Sequence, residues 1–265
     1  MRGYCCETYR QMPYLQARYR QGLRRAQTRT MQGREFVHEK GGVMSKLNKA
    51  HGNMYDWLSH TWSPGRGCPH ACTYCYVRAF GQQPREFSLD APFPALGQSR
   101  KIFVGHMTDL FADGVPDDAI RAVLAHVRRF PKNQYVFQTK APLRIIPWLD
   151  MIDKTAIIGT TIETDDKLLA DYSDAPPVEK RAYGLAQIGR LGYSTFLTLE
   201  PLMEFNPLAL LRLVRDATPG WVNIGADSKG HGLPEPIKAD VELLLAGLRD
   251  AGITVKLKDN LERLI

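Results

Sequence analysis

Thr195-Phe-Leu-Thr-Leu199-Glu200-Pro201, then Asn206-Pro207-Leu-Ala-Leu-Leu-Arg-Leu-Val-Arg215-Asp216, then Trp221-Val-Asn-Ile224-Gly225-Ala-Asp227, is the stretch that decides the fold. Two short apolar runs, rich in β-branched and aromatic residues, flank a segment of helical character. Asn206 is a good helix N-cap and Pro207 suits a first helical turn, so a helix is expected to about Asp216. Strand, helix, strand is the unit of a parallel sheet. Both apolar runs end on an acid, Glu200 and Asp227.

The same unit recurs in both directions. Upstream, Ala156–Ile162 reads as a strand ending at Glu163, followed by a helix over Val178–Leu191. Before it come Gln134–Gln138, ending at Thr139-Lys140 with a short helix over Leu143–Leu149, and Lys101–Gly105, ending at His106-Met107-Thr108-Asp109. A helix over Asp117–Arg129 follows the latter; Ile120, Val123, Leu124 and Val127 share one face. A first strand is expected near Trp57–Trp62. Downstream, a helix over Ala239–Asp250 buries Val241, Leu244, Leu245 and Leu248, and a last strand over Ile253–Leu257 reaches Lys258. The expected fold is α/β: a partial (β/α)6-type TIM barrel of mostly parallel strands. Chemistry in such barrels collects at the carboxyl ends of the strands. Glu163, Glu200, Asp227, Lys140 and Lys258 all fall there, as does the loop after the first strand. One polar rim is expected.

That first loop carries Cys68-Pro-His-Ala-Cys72-Thr-Tyr74-Cys75-Tyr76. Three thiolates in C-x3-C-x2-C spacing on one small loop can hold three irons of a 4Fe–4S cluster. The fourth iron is then without a protein ligand, whereas standard cluster sites use four cysteines. Catalytic zinc sites keep an open position in the same way. A zinc site using these cysteines with His70, His60 or His51 is the competing reading, but no second C-x2-C or H-x3-H pair follows at finger spacing. The five cysteines in 265 residues are an odd and sparse set. With no apolar secretory segment at the N-terminus, a disulfide framework is not expected and a reducing cytoplasm is. Cys5 and Cys6 are adjacent, a poor pair of ligands for one metal. No run of eighteen apolar residues occurs, so no transmembrane helix is expected.

At these residues the chain resembles the radical S-adenosylmethionine (SAM) superfamily, whose signature is this spacing with an aromatic, here Tyr74, before the third cysteine. The pieces Thr61-Trp62-Ser63-Pro64…Gly67-Cys68, Ile102-Phe-Val…Met107-Thr-Asp109-Leu-Phe111, Gln138-Thr-Lys140 and Leu199-Glu-Pro201-Leu look like a narrower family of uncharacterised phage and bacterial proteins. Many of its members space the first two cysteines more widely. The resemblance spans about residues 57–258 and implies two cofactors, a 4Fe–4S cluster on Cys68, Cys72 and Cys75 and S-adenosyl-L-methionine. The open iron chelates SAM, one electron breaks its sulfur–carbon bond, and a 5′-deoxyadenosyl radical abstracts hydrogen from substrate. It also implies that Asp109 or Thr108, in the loop with His106, meets the SAM amino group. Thr161 and Glu163 would meet ribose hydroxyls, and Tyr76 adenine. Glu200 and Asp227 would serve cofactor or substrate, and Lys140 and Lys258 a carboxylate or phosphate. A flavodoxin- or ferredoxin-type reductant is an implied partner. Gly225 is expected to allow close backbone approach.

The net charge of +7 is uneven. Residues 1–43 hold nine basic and three acidic residues; the other 222 hold 26 and 25. The domain reading is a basic arm, 1–43, and a barrel, 44–265. Tyr14, Tyr19 and the arginines between 18 and 25 would suit phosphate contact and base stacking. The blander reading is stronger: Met44 opens Met-Ser-Lys-Leu-Asn-Lys, an alternative start, and the arm is a poorly ordered extension without a catalytic role. The expected substrate is a nucleobase or nucleotide, as in hypermodified phage DNA within the host cytoplasm, or a lesion of the spore photoproduct lyase type. A zinc-stabilised nucleic-acid-binding protein and a radical SAM enzyme acting on a peptide or small metabolite are the alternatives.

Overall fold

The computed structural model describes residues 45–52, 54–81, 85–165 and 167–265, without the side chains of 167 and 168. The basic arm lies outside the described residues. Among those described, the strands are β1 (Leu47–Lys49), β2 (His60–Trp62), β3 (Gly65–Arg66), β4 (Ser88–Leu89), β5 (Lys101–Val104), β6 (Gln134–Gln138), β7 (Ile157–Thr161), β8 (Ser194–Leu199), β9 (Trp221–Ile224) and β10 (Val255–Leu257). The helices are α1 (Asp117–Arg128), α2 (Pro142–Ile145), α3 (Val178–Arg190), α4 (Pro207–Ala217) and α5 (Lys238–Asp250). As expected, Asn206 caps α4: its side chain accepts from the N–H groups of Leu208 and Ala209 at 3.1 Å.

The main sheet runs β1-β2-β5-β6-β7-β8-β9-β10. From β2 onward every neighbouring pair is parallel; β1 pairs antiparallel to β2. The sheet stays open, with β1 and β10 as its edges, so the fold is α/β with the strand order of a partial barrel. α1 to α5 link the parallel strands from β5 to β10 in turn. Between β2 and β5 the chain instead builds the cysteine loop, a 3-10 turn at Tyr76–Phe80 and the small β3–β4 ribbon.

Both faces of the sheet are buried, which is why its strands read as continuous apolar runs. One face meets the helices through Ile102, Val104, Tyr135, Phe137 and Ile158, and through Leu197, Leu199, Val222 and Ile224. The alternate residues Phe103, Val136, Ile157 and Phe196 point the other way, with Trp221 packed beside them. Their partners are Tyr55 and Trp57. Trp57 stacks on Tyr55 at 5.1 Å between centroids and meets Phe196 and Trp221 edge-on. This corrects the first strand expected near Trp57–Trp62: only His60–Trp62 joins the sheet. The residues before it leave the sheet to fill the inner face of the open barrel, because that face offers four large side chains and no strand to cover them.

Candidate active site

The carboxyl ends of the seven parallel strands open into one cavity of about 710 Å³. Each end contributes a polar or backbone group: Thr61, Gly105, Gln138, Thr161, Thr198 with Glu200, Asp227 and Lys258. Of the residues singled out in the sequence, Cys68, Cys72, Cys75, Tyr74, Tyr76, His106, Thr108, Asp109, Thr161, Glu200, Asp227, Lys140 and Lys258 all line it. Glu163 does not. It lies beneath the wall, fully buried.

The cysteine loop is fastened to the loops after β5 and β6. Asp109 accepts from His70 Nε2 at 2.8 Å, from the Lys140 backbone N–H at 2.8 Å and from the Phe111 N–H at 3.0 Å. Burial would raise the Asp109 pKa, but His70 and these donors outweigh it and hold it low. The Thr108 hydroxyl donates to the Gly67 carbonyl, and the Tyr76 hydroxyl to the His106 carbonyl. Ser63 Oγ lies 3.1 Å from His106 Nδ1. Asp109 and Thr108, expected to face the SAM amino group, thus already spend hydrogen bonds on positioning the cysteines.

A second network lies behind Cys72. Glu163 bonds the Tyr74 hydroxyl at 2.8 Å, Lys140 Nζ at 2.7 Å and Arg181 Nη1 at 2.8 Å. Burial pushes its carboxyl up, but the two cations outweigh burial and bring its pKa down to about 2. Lys140 Nζ also donates to Cys72 Sγ at 3.2 Å and sits 4.5 Å over the Tyr74 ring. Ser173 Oγ is 3.0 Å from the same sulfur. Arg181 and Ser173 were not singled out in the sequence. Arg181 could have been: Val178, Arg181, Ala182 and Leu185 fall at i, i+3, i+4 and i+7 of α3, so a cation stood on the buried face. Ser173, in an irregular loop, carried no signal.

On the far side, Lys258 pairs with Glu200 at 2.7 Å, and the Tyr55 hydroxyl bridges Gln138 and Thr198 at 2.9 and 2.7 Å. Gly225 is closely approached, as expected: a Cβ there would stand 2.9 Å from the Glu200 carboxyl carbon. Asp227 folds its own loop, accepting from the Lys229 and His231 N–H groups and lying 2.7 Å from His231 Nδ1. At the lip, Phe80 is 72% exposed, with Lys49, His51 and Lys229 lining the same opening.

The three thiols are free and face this cavity together. Burial raises the pKa of Cys68 to about 12 and that of Cys75 above the ordinary thiol value. A thiolate in this wall therefore calls for a metal or cation beside it. Cys72 has the Lys140 ammonium and the Ser173 hydroxyl at hydrogen-bond distance. Among the described residues no group of three His, Cys, Asp or Glu side chains could hold a single metal ion. A cluster asks instead for separate thiolates, since each binds its own iron. The donor set fits a 4Fe–4S cluster.

A family model described as a protein of unknown function (DUF5131) matches residues 53–234. The chain belongs to that family. The DUF5131 match takes in the cysteine loop, the strands from β2 to β9 and their carboxyl ends. No curated protein matches the chain. Among solved structures it is similar to a spore photoproduct lyase double mutant with bound AdoMet and dinucleoside spore photoproduct. That match has a TM-score of 0.52 and 11% identity over 75% of this chain and 63% of that one. A single mutant gives 0.53 and 10% over 74% and 63%. A complex with dinucleoside spore photoproduct gives 0.51 and 10% over 75% and 63%. The DUF5131 chain thus spans about 63% of the length of these structures, and at such identity the likeness is one of fold.

Proposed function

We propose that this protein is a radical SAM enzyme, with Cys68, Cys72 and Cys75 as the ligands of a 4Fe–4S cluster and S-adenosylmethionine bound in the cavity beside them. The observation that carries the reading is the opening of all three thiols, free of disulfides, on the cavity at the carboxyl ends of the parallel strands. The fold shared with spore photoproduct lyase, one structure of which holds AdoMet, supports it. When bound, such a cluster supplies the electron that cleaves SAM to a 5′-deoxyadenosyl radical, which takes hydrogen from a substrate.

The chain's own residues hold, orient and enclose. Asp109, Thr108 and Tyr76 fix the cysteine loop against the strand ends. Thr161, Gln138 and Thr198 offer hydroxyl and amide groups for a ribose. Glu200 is an acceptor for an ammonium group, and Glu163 acts from beneath by holding Tyr74 and Lys140. Tyr55 and Phe103 of the inner aromatic plug form an apolar part of the cavity wall, which suits radical chemistry because it disfavours water.

The substrate is a nucleobase or nucleotide. Its support is the lip, where Phe80 offers a face for stacking and Lys49 and Lys229 offer charge for phosphate. A flavodoxin- or ferredoxin-type protein donates the electron. Among the described residues no helix is long and apolar enough to cross a membrane; the site of action is the reducing cytoplasm. The test is anaerobic reconstitution with iron, sulfide, SAM and dithionite. Brown protein and release of 5′-deoxyadenosine are expected, with a changed nucleoside mass in digested DNA. Colourless protein holding zinc would overturn the cofactor reading. Release of 5′-deoxyadenosine without any nucleoside change, while peptide or metabolite is consumed, would overturn the substrate.

A further inference from the structure

The three cysteine sulfurs are not equivalent. Cys68 faces the backbone N–H groups of His70 and Asp109, and Cys75 that of Val77. Cys72 instead meets side chains: the Lys140 ammonium donates to its sulfur at 3.2 Å, and the Ser173 hydroxyl lies 3.0 Å from it. That ammonium is held from three directions. Glu163 lies 2.7 Å away, the Tyr74 hydroxyl 3.0 Å, and the Tyr74 ring lies beneath it. The Lys140 backbone is tied in turn to Asp109. The side chain is 17% exposed, so water screens its charge little. With Arg181 on the other carboxylate oxygen, two cations and one anion leave one net positive charge behind this sulfur.

We propose that Lys140 sets the reduction potential of the cluster by donating a charged hydrogen bond to the sulfur of Cys72. Cluster potentials follow net charge, hydrogen bonds to sulfur and solvent exposure, and second-shell partners tune a metal through its ligands. Reduction adds one electron to the cluster, while no bond breaks and no proton moves. A fixed cation at hydrogen-bond distance favours that extra negative charge and raises the potential. Glu163 and Tyr74 hold the cation at the sulfur, and Arg181 keeps the carboxylate from cancelling it.

The assignment rests on the cluster reading, and the experiment separates the two. Full-length wild type, Lys140→Met, Lys140→Gln and Lys140→Arg are reconstituted anaerobically. Iron and sulfide are counted, and each cluster is titrated with dithionite under electron paramagnetic resonance. In Met and Gln variants that carry full iron, the oxidised-to-reduced ratio at a fixed applied potential is expected to rise about tenfold, which is 59 mV for one electron. Lys140→Arg, which keeps charge and donor, is expected to stay within a factor of about three of wild type. Unchanged potentials in the Met and Gln variants would overturn the role of Lys140 while leaving the cluster intact. Loss of iron in Met and Gln, with circular dichroism preserved, would make Lys140 an assembly residue and overturn its tuning role. Wild type that binds no cluster would sink the proposed function itself.

Discussion

Glu163 is the side chain whose role changes most between sequence and structure. At the end of a strand it reads as a ligand-facing acid; in the fold it is buried between Lys140 and Arg181. Its carboxyl stands near 4.5 when unfolded and is depressed to about 2 in the fold. The stability it contributes is therefore fully present above pH 4.5 and lost as pH falls toward 2. In urea titrations repeated from pH 6 to pH 3, wild type should lose stability more steeply than Glu163→Gln. Parallel curves for the two proteins would contradict that. At pH 7 the glutamine variant should be less stable by about 3 kcal/mol, the scale of a broken buried pair. The cysteines make a separate prediction. Alanine at Cys68, Cys72 or Cys75 should cost most of the iron and all SAM cleavage, and alanine at Cys5 or Cys6 neither. Cluster loss in a Cys5 variant would mean a different ligand set.

At the scale of elements, the open barrel depends on its plug. Tyr55 and Trp57 occupy the inner face, where Phe196 stacks on Trp221 and stands over Gly159 of β7. A Cβ at Gly159 would fall 2.3 Å from the Phe196 ring. Gly159→Ala is thus expected to overpack this face and cost about 1–3 kcal/mol, read from the urea midpoint. A midpoint equal to wild type would mean that the ring moves freely and the plug is loose. The helical side behaves as its pattern predicts. Leu185 and Ile188 of α3, Leu210 and Val214 of α4 and Leu244 and Leu248 of α5 are all fully buried. Each contributes about 1.5–3 kcal/mol by leaving water.

For the whole molecule, the cysteine loop, the cavity and every strand among the described residues lie beyond residue 44. A protein beginning at Met44 should bind as much iron and cleave SAM as fast as the full chain. If DNA is the substrate, the basic arm should add phosphate contacts, each of which releases counterions and steepens the dependence on salt. The shortened protein should then bind DNA more weakly at 50 mM salt, with a shallower slope of log affinity against log salt. Equal slopes measured by fluorescence anisotropy would remove the arm as a nucleic-acid contact. Loss of iron on truncation would show that the arm supports the cluster.

The parallel sheet, its five helices and the cysteine loop were legible in the chain alone. Each is written locally: short continuous apolar runs for the strands, period-3.6 burial for the helices, the Asn206-Pro207 cap and a three-thiol spacing within eight residues. The convergence of Asp109, Lys140, Glu200, Asp227 and Lys258 on one rim was legible because parallel strands present their ends on one side; Glu163, expected on the same rim, is buried behind it. What those ends do is set by packing between distant elements. Asp109 clamps His70 across 39 positions of chain, and Lys140 reaches Cys72 across 68. Tyr55, just before the expected first strand, touches Thr198, 143 residues away. Such contacts depend on which groups burial leaves in need of a partner, and that is settled between elements distant in sequence.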